Sequence, residues 1–469
     1  MIRLNRRLFR LYVGMWWATS VIGMAQTARP LPDAPISQIV LAQNTQSGMN
    51  SPAKPDEQGA AYPQLTRGEA EQMAIKNNPR VSAAHLLALA QHQVVRETRS
   101  AALPTATGSI TAVEAEDASR ISAGSLTASR LFTHAGAGGG FSQLLLDFGR
   151  TKNLVAYSKL QEKAQNAAAL ATTEDVVLAT DQAFYNALEA QALLKVARQN
   201  VDARGTTDKQ VNELTRNKLK STLDLSFADV NLSQARLLLL DAQNNADSTM
   251  AALDAVLGLD HPVTYELVET NTALQPPPQD PGQLLQLGLQ QRPDLQQLNY
   301  NAQAAVKFSR AQRDQMFPSI TAAGTAGSVP IRPDQYYTAN WWGGVGVNMN
   351  VPIFNGFLYS AQAKEAALRA QATSEQSRDL RDQIVREIRT SWLAANTAYQ
   401  RVGVTAELLQ QATLALKLAQ TRYQMGLSSI VELSQAQYQQ TDAAITNTNA
   451  QYQYRLALAT LNYQIGATP

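Results

Sequence analysis

Two carboxylates, Asp224 and Glu432, are the residues whose placement in this chain most invites a chemical role. Each follows a short polar stretch between helical segments, NKLKS at 217–221 for the first and MGLSS at 425–429 for the second. A carboxylate in the first turn of a helix is stabilised by the helix dipole, and it also attracts cations from solution. The residues around them leave both interpretations open.

The remaining candidates for chemistry are weaker. His85 and His92 lie seven residues apart on one face of a predicted helix, but no third ligand follows that spacing, so two surface histidines are the simpler interpretation. The chain has no cysteine, which excludes disulfides, thiolate metal sites and cysteine nucleophiles. We find no catalytic constellation, and we predict no enzymatic activity, no cofactor and no metal site.

Composition and the N-terminus narrow the class of protein. Among 469 residues, 17% are charged and the formal net charge is +2, with no basic cluster beyond the extreme N-terminus, which argues against a nucleic acid partner. Residues 1–25 have the basic and apolar segments of a signal peptide. A membrane anchor is the alternative, although the apolar segment is shorter than the roughly 20 residues of a membrane span. Residues 26–62, rich in proline, serine and glutamine, are predicted to form a disordered leader.

The rest of the chain is an internal duplication. Pro79 and Pro293 are 214 positions apart, and Gly258 and Gly466 are 208 apart. The second offset holds without a gap from about 145 to 258. The predicted parts are a first repeat, a proline-rich linker and a second repeat: 63–274, 275–282 and 283–469.

Each repeat begins with one helix and ends with two long helices. The first helices are predicted at 65–102 and 283–316, and the long pair of the second repeat at about 357–422 and 428–465. Helices of about 55–65 residues would be roughly 80–100 Å long. No compact core covers such helices, so they must pack along their length as antiparallel coiled coils.

Between these helices, each repeat has a segment that predicts β-structure. In WWGGVGVNMNVPIF, apolar residues alternate with glycine and asparagine, whereas LFTHAGAGGGFSQLL in the first repeat alternates only in outline. PTATGSITAVEAED and PSITAAGTAGSV are predicted to be their hairpin partners, which gives four strands per chain. Four strands cannot close a barrel, so strands that contact lipid would require oligomerisation. A small sheet at the end of a soluble helical rod is the alternative.

In their order and duplication, these motifs resemble the TolC family of outer-membrane factors. The shared order is a signal peptide, a helix ending in Leu-Pro, a hairpin, LLDFGR or PIFNGF, a long helix, RYQMGLSS and a second long helix, over about 65–466. The resemblance implies a mainly α fold with a β-barrel portion. Three chains would each give four strands to a shared outer-membrane barrel of 12 strands. Their long antiparallel coiled-coil helices would form a trimeric α-helical tunnel across the periplasm.

The resemblance also implies a function. Family members are passive exit channels of tripartite efflux pumps or type I secretion systems, and their partners are a periplasmic adaptor (membrane fusion) protein and an inner-membrane pump or ABC exporter. We therefore expect a homotrimer in contact with outer-membrane lipid, with a long periplasmic extension and no nucleic acid partner. A soluble periplasmic coiled-coil scaffold is the alternative.

Two turns between long helices correspond to the family's adaptor-contacting tips. Gly426 supplies the backbone freedom that a tight reversal needs, whereas Lys218 stands where the family usually has glycine. A plain structural turn is the alternative for both segments. The predicted tip residues of the two repeats are Asn217, Lys218, Leu219, Lys220 and Ser221, and Met425, Gly426, Leu427, Ser428 and Ser429.

The family narrows its tunnel just inside these tips, and the resemblance assigns four residues to a periplasmic gate. Glu432 matches the aspartate of an acidic ring, and Asp224 is its counterpart in the first repeat. Tyr423 matches a tyrosine that ties neighbouring helices in the closed state, and Gln435 occupies a second acidic position without the charge. Three copies of Glu432 around a symmetry axis would attract cations. The alternative is that both carboxylates are solvated residues of a first helical turn.

Two more predictions concern the ends of the strands. Aspartate or asparagine can cap a helix start, so the strand–helix junctions are predicted at Asp147, Gly149, Pro352, Asn355 and Gly356. Aromatic residues collect at membrane interfaces, so the predicted aromatic girdle consists of Tyr336, Tyr337, Trp341 and Trp342.

Overall fold

A computed structural model gives the structure of the protein. The residues that it describes are 63–114, 120–123, 126–130, 134–259, 261, 263, 265–269, 274–278, 280–328 and 341–467. The predicted signal peptide and leader, together with Tyr336 and Tyr337, lie outside these residues.

The two repeats contain the same main elements. The first repeat contains β1 (Gln64–Leu65), α1 (Arg67–Asn77), α2 (Pro79–Ser100), β2 (Thr105–Val113), β3 (Arg120–Ala123), β4 (Leu126–Arg130), β5 (His134–Leu146), α3 (Arg150–Arg216) and α4 (Thr222–Leu257). The second repeat and the strand before it contain β6 (Glu266–Leu267), α5 (Pro281–Gln291), α6 (Pro293–Asp314), β7 (Ser319–Ser328), β8 (Trp342–Asn350), α7 (Leu358–Gln424) and α8 (Ile430–Gln464).

The long helices are present as predicted. α3 and α7 have 67 residues each, so each is roughly 100 Å long. α3 packs along α4 and α7 packs along α8, and α3 also contacts α8, which joins the two repeats. Many of the buried positions in α3 are alanines, which allow neighbouring helices to approach closely. Within the part of the chain described above, no helix combines the length and the apolarity needed to cross a membrane.

The first helix of each repeat is broken, which corrects the prediction of single helices at 65–102 and 283–316. In both repeats a proline begins the second helix of the pair. The residue before a proline is pushed towards extended backbone conformations, and Asn78 and Arg292 accordingly have ψ angles of 122° and 120°. In each repeat, the short helix before the break packs against the middle of the longest helix and against the end of the last helix.

The linker is shorter than predicted. Helix α5 already begins at Pro281, inside the predicted linker at 275–282. Proline is favoured in the first turn of a helix, and the Asp280 carboxylate caps this helix by accepting the Gly282 amide at 2.8 Å.

Four strands form one antiparallel sheet in the order β2–β5–β7–β8. The predicted hairpin pairs, β2 with β5 and β7 with β8, are both present, and β5 pairs with β7 to join the repeats. A second hairpin of β3 and β4, and a parallel pair of β1 and β6, were not predicted. Strands β2 and β8 form the two edges of the four-stranded sheet.

Two apolar cores occupy equivalent places in the repeats. The first contains Val176, Phe184, Leu253 and Leu257, and the residues 208 positions later, Ile384, Trp392, Leu461 and Ile465, form the second. Gly258 and Gly466 follow the last helices with φ angles of 71° and 67°. A Cβ atom on Gly258 would lie 2.9 Å from the Asn77 carbonyl oxygen, so glycine is needed where the chain passes the helix break. The sequence duplication is therefore also a structural duplication.

The helix break carries a polar link in both repeats. The Asn78 side chain donates to the Val256 carbonyl at 3.1 Å. At the equivalent place, the buried Arg292 guanidinium donates to the Gln464 side chain at 2.6 Å and to the Glu387 carboxylate at 2.9 Å. Both links join the break to the end of the repeat's last helix.

Candidate functional site

The register of the four-stranded sheet sorts its side chains into two faces. One face is apolar or small, apart from Ser328, which lies opposite Ala137, and Gln143, whose amide donates to the main-chain carbonyls of Ala102 and Leu144. The residues of this apolar face are Ala106, Gly108, Ile110, Ala112, Ala137, Gly139, Phe141, Ile320, Ala322, Gly324, Ala326, Gly343, Val345, Val347 and Met349. The opposite face is mainly hydroxyl, amide or glycine, and its apolar members are Val113, Leu144, Ala323 and Trp342. Its other residues are Thr105, Thr107, Ser109, Thr111, Gly136, Gly138, Gly140, Ser142, Ser319, Thr321, Thr325, Gly327, Gly344, Gly346, Asn348 and Asn350.

The apolar face is open to its surroundings. Val345 and Val347 are 83% and 68% exposed, and Ile110 at the other edge of the sheet is exposed as well. A polar face backed by an apolar face, with alternation along every strand, is the pattern of a barrel wall between lipid and water. The strands of the first repeat alternate only weakly in sequence. Their side chains still divide into the same two faces, because the register of each strand with its neighbours decides which side chains share a face.

Trp341 and Trp342 lie at the start of β8, at the end of the sheet away from α7, and both are exposed. Trp342 lies opposite Gly327 on the mainly polar face, which would line the barrel interior, so the register does not place its side chain in a girdle against lipid. The girdle stays a prediction, since its two tyrosines lie outside the described residues.

The strand–helix junctions are built differently in the two repeats. The Asp147 carboxylate accepts the Gly149 amide at 3.2 Å and the Thr151 amide at 2.6 Å, so it caps α3 as predicted. In the second repeat the Asn355 side chain does not cap α7; only its main-chain carbonyl accepts, from the Leu358 amide at 3.3 Å. Asn355 therefore lies at the predicted junction, together with Pro352 and Gly356, but α7 has no side-chain cap. In each junction one phenylalanine and one glycine adopt a positive φ and reverse the chain between strand and helix.

The tips are tight turns between paired long helices. Asn217 ends α3, and Ser221 begins α4 by accepting the Leu223 amide on its hydroxyl at 3.0 Å. In the second repeat, Met425 ends α7 and the Ser429 hydroxyl accepts an amide from the first turn of α8. Serine caps of this kind satisfy amides that would otherwise lack partners at the helix start.

Lys218 does not change the geometry of its turn. Its φ angle is 58°, in the left-handed region, and Gly426 at the equivalent place has a φ angle of 76°. A left-handed conformation costs a residue with a Cβ atom roughly 1–2 kcal/mol that glycine avoids. Next to these residues, Leu219 and Leu427 are 68% and 65% exposed, so each tip presents one leucine. Of the other second-tip residues, Met425 is exposed and Ser428 is half-buried.

Three of the four predicted gate residues lie at the tip end of the hairpins. Asp224 and Glu432 are in the first turns of α4 and α8, and Tyr423 is in the last turn of α7. The Asp224 carboxylate accepts the amide of its own helix cap, and Glu432 pairs with Arg422 across the turn at 3.1 Å. Gln435 is exposed further along α8. Arg422 gives no signal in the sequence, because only the folded turn brings it to Glu432.

Tyr423 joins the two tips. It is buried among Val211 and Ala228 of the first hairpin and residues of α8, and the Lys220 ammonium lies 4.5 Å from the centre of its ring. Burial raises the pKa of the Tyr423 phenol above its ordinary value, and the negative charge of Asp224 adds to the increase. The hydroxyl has no hydrogen-bond partner among the residues described. The tyrosine thus contacts a cation of the neighbouring hairpin within one chain.

A buried polar link between α3 and α8 was not predicted. The Arg204 guanidinium donates to the Gln437 side chain at 2.5 Å, and Gln437 in turn donates to the Thr207 hydroxyl at 3.1 Å. Arg204 and Gln437 are both buried, and no carboxylate pairs with Arg204 in the described part of the chain. A single arginine within a long helix gives no signal in the sequence until its partner on another helix is known.

A second buried cluster joins α1 to α3. Arg67 lies 3.3 Å from both Glu71 and Asp181, and the two carboxylates are buried side by side. Burial raises the pKa of Asp181 to about 7; the neighbouring Glu71 carboxyl adds to the increase, and the Arg67 charge opposes it. The folded protein therefore holds a proton here that the unfolded chain releases.

This proton predicts a pH dependence of stability. Because the folded-state pKa of Asp181 lies above the unfolded value, stability from this group is complete below about pH 4 and falls as the pH rises to about 7. Asp181→Asn, which stays neutral, is expected to remove this loss and to stabilise the protein at pH 8 by about 1–2 kcal/mol. Thermal unfolding in detergent at pH 5 and pH 8 measures it, with the exposed Asp202→Asn on the same helix as control. Parallel pH profiles for Asp181→Asn and the unsubstituted protein would contradict the assignment.

One protein family and several curated proteins are similar to this chain. The profile described as "Outer membrane efflux protein" matches residues 71–259 and 284–467. The outer membrane protein TolC of Escherichia coli K12 is 23% identical over 326 residues, which cover 65% of this chain and 66% of that protein. The toluene efflux pump outer membrane protein TtgC of Pseudomonas putida is 25% identical over 311 residues, covering 64% of this chain and 62% of that protein. The aligned part thus spans less than two thirds of each of these two relatives.

Solved structures share the fold. The outer membrane protein VceC of Vibrio cholerae superposes with a TM-score of 0.72 at 18% sequence identity, over 85% of this chain and 96% of that chain. At this identity the likeness establishes the fold alone. It confirms the predicted combination of long paired helices with a barrel portion.

Proposed function

Because the chain belongs to the outer membrane efflux protein family, we propose that it is the exit channel of a tripartite efflux pump or of a type I secretion system. The family consists of outer-membrane channels rather than known enzymes, and the chain accordingly lies in the outer membrane with its long helices in the periplasm. The observation that carries the proposal is the sheet with one apolar and one polar face. In a soluble periplasmic scaffold, the exposed Val345 and Val347 would face water, which is unfavourable for an apolar surface.

The contacts between the repeats support assembly into a closed ring, which the family resemblance implies is a homotrimer. Helix α6 packs between α3 and α7, whereas α2, its equivalent, packs along α3 and exposes Leu86 and Leu87 on its other flank. A neighbouring chain's α7 would complete the same arrangement. The unpaired edges of β2 and β8 would pair at the same interface, as strands in lipid require.

The tips are the proposed site of contact with a periplasmic adaptor protein, which in turn would contact an inner-membrane pump or ABC exporter. The exposed Leu219 and Leu427, held on rigid serine-capped turns, support this role. A photo-reactive phenylalanine analogue at either position, in cells that produce the whole envelope system, is expected to cross-link to the adaptor. Cross-links only to other copies of this chain, or none at all, would contradict adaptor docking.

We also propose that Glu432, with Asp224 and Tyr423, restricts the tunnel at its periplasmic end. The Glu432–Arg422 ion pair holds the first turn of α8 against the last turn of α7, and its carboxylate would attract cations to the entrance. Glu432→Ala is expected to increase leak conductance by up to about fivefold and to reduce cation preference. The fivefold limit corresponds to the free energy of one exposed ion pair. Planar-bilayer recordings measure both quantities.

The matched control for this prediction is Glu407→Ala, which removes an exposed carboxylate of α7 away from the tip. If Glu432→Ala leaves conductance and selectivity as they are in the control, Glu432 is a first-turn residue without a gate role.

A further inference from the structure

Among the residues that the structure describes, the first tip carries one cation, Lys218, without an internal partner. Arg216 pairs with Glu213 at 3.2 Å, and Lys220 lies over the Tyr423 ring. Lys218, between them, is exposed, and its ammonium makes no hydrogen bond, ion pair or ring contact within the part of the chain that the structure describes. Of the charges around this turn, only Lys218 therefore points to a partner outside the chain.

The backbone supports the same conclusion independently. Lys218 occupies a left-handed position that the second tip fills with Gly426, and Lys218 is one of three residues other than glycine with positive φ among those described. A glycine would relieve this strain without loss of any internal contact. Backbone strain that is retained at an exposed turn, where it positions a charged side chain, is typical of a binding residue.

We propose that Lys218 binds a carboxylate of the adaptor, so that the first tip requires an acidic residue in its docking site and the second tip does not. The proposal rests on the adaptor role of the tips. Leu219 and Leu427 would occupy equivalent apolar clefts, and only the cleft for Leu219 would carry an aspartate or glutamate beside it. The adaptor would in this way distinguish the two tips and fix its register on the channel.

The test uses Lys218→Gly, which gives the first tip the glycine of the second tip. Because this substitution removes backbone strain, it is not expected to destabilise the turn, and weaker binding would report the loss of the lysine charge. The probe is the purified adaptor that cross-links to Leu219 and Leu427 in the experiment proposed above. Its affinity for the detergent-solubilised full-length channel is measured at about 50 mM and about 500 mM salt, where charge pairs are weakly and strongly screened. Lys209→Gln, an exposed charge loss on α3, is the control.

We expect Lys218→Gly to bind the adaptor about two- to fivefold more weakly per tip at low salt and equally well at high salt. Treating the wild-type complex with a carbodiimide should join the Lys218 amine to an aspartate or glutamate of the adaptor, detected by mass spectrometry. Equal affinity at both salt concentrations, or an amide between Lys218 and a second copy of this chain, would overturn the inference. Failure of the tips to cross-link to any adaptor would instead overturn the proposed function.

Discussion

Val347→Arg is expected to prevent assembly of the protein in the outer membrane. Val347 lies on the apolar face of β8, 68% exposed, paired with Ala322 of β7. If this face contacts lipid, an arginine near the bilayer centre costs about 2–4 kcal/mol, and each subunit of an oligomer would bear this cost. The expected result is loss of the heat-dissociable oligomer from outer membranes, compared on unheated and heated denaturing gels.

The neighbouring residue provides the matched control. Asn348 lies on the polar face of the same strand and pairs with Thr321, so Asn348→Arg would place its charge in water inside the barrel. We expect this variant to assemble normally. If both variants assemble to the same extent, the two faces of the sheet have the same environment, and the barrel assignment is wrong.

Arg292→Ala is expected to have the largest effect on stability outside the sheet. Arg292 is 7% exposed and donates to Asp294, to Glu387 of α7 and to Gln464 of α8. Removing the guanidinium leaves the Asp294 and Glu387 carboxylates without their cation. Because both carboxylates are partly exposed, we expect a loss of about 2–3 kcal/mol, less than the roughly 3–5 kcal/mol of fully buried pairs. Denaturant unfolding in detergent measures the loss.

The exposed Arg386→Ala, one residue before Glu387, is the control and is expected to change stability by less than about 0.5 kcal/mol. An intermediate loss is expected for Arg292→Lys, because an ammonium cannot reach three partners in the way that a guanidinium fork does. A loss below about 1 kcal/mol for Arg292→Ala would show that the helix break is held mainly by its apolar core.

Much of the fold could be predicted because the same order of sequence motifs occurs twice in the chain. The pairs Pro79 and Pro293, and Gly258 and Gly466, mark the same backbone positions in both repeats, and the hairpin strands follow from alternation in β8 and from its repeat partner. The parallel ladder of β1 and β6 could not be found in this way. Its two-residue strands are too short to show a period, and they pair across about 200 residues of sequence.

The candidate site was predicted less completely, since its contacts join residues that are distant in sequence. The Asp147 cap and the first-turn carboxylates are local and were predicted, whereas the caps at Ser221, Ser429 and Asp280 were not. The Arg204–Gln437 link and the Lys220–Tyr423 contact depend on how two hairpins pack, which no local pattern reports. Gln435, the predicted gate residue, is exposed, whereas Gln437, two positions along, is the glutamine that the helix phase turns inwards.

On this interpretation of the sheet, the chain completes a channel wall only as an oligomer in the outer membrane. Native mass spectrometry of the full-length protein, extracted from outer membranes in mild detergent, tests it most directly. We expect a trimer in the outer-membrane fraction, because the edges of β2 and β8 must pair in lipid. A monomer released with the soluble periplasmic proteins would contradict it, since the apolar face of the sheet would then never contact lipid.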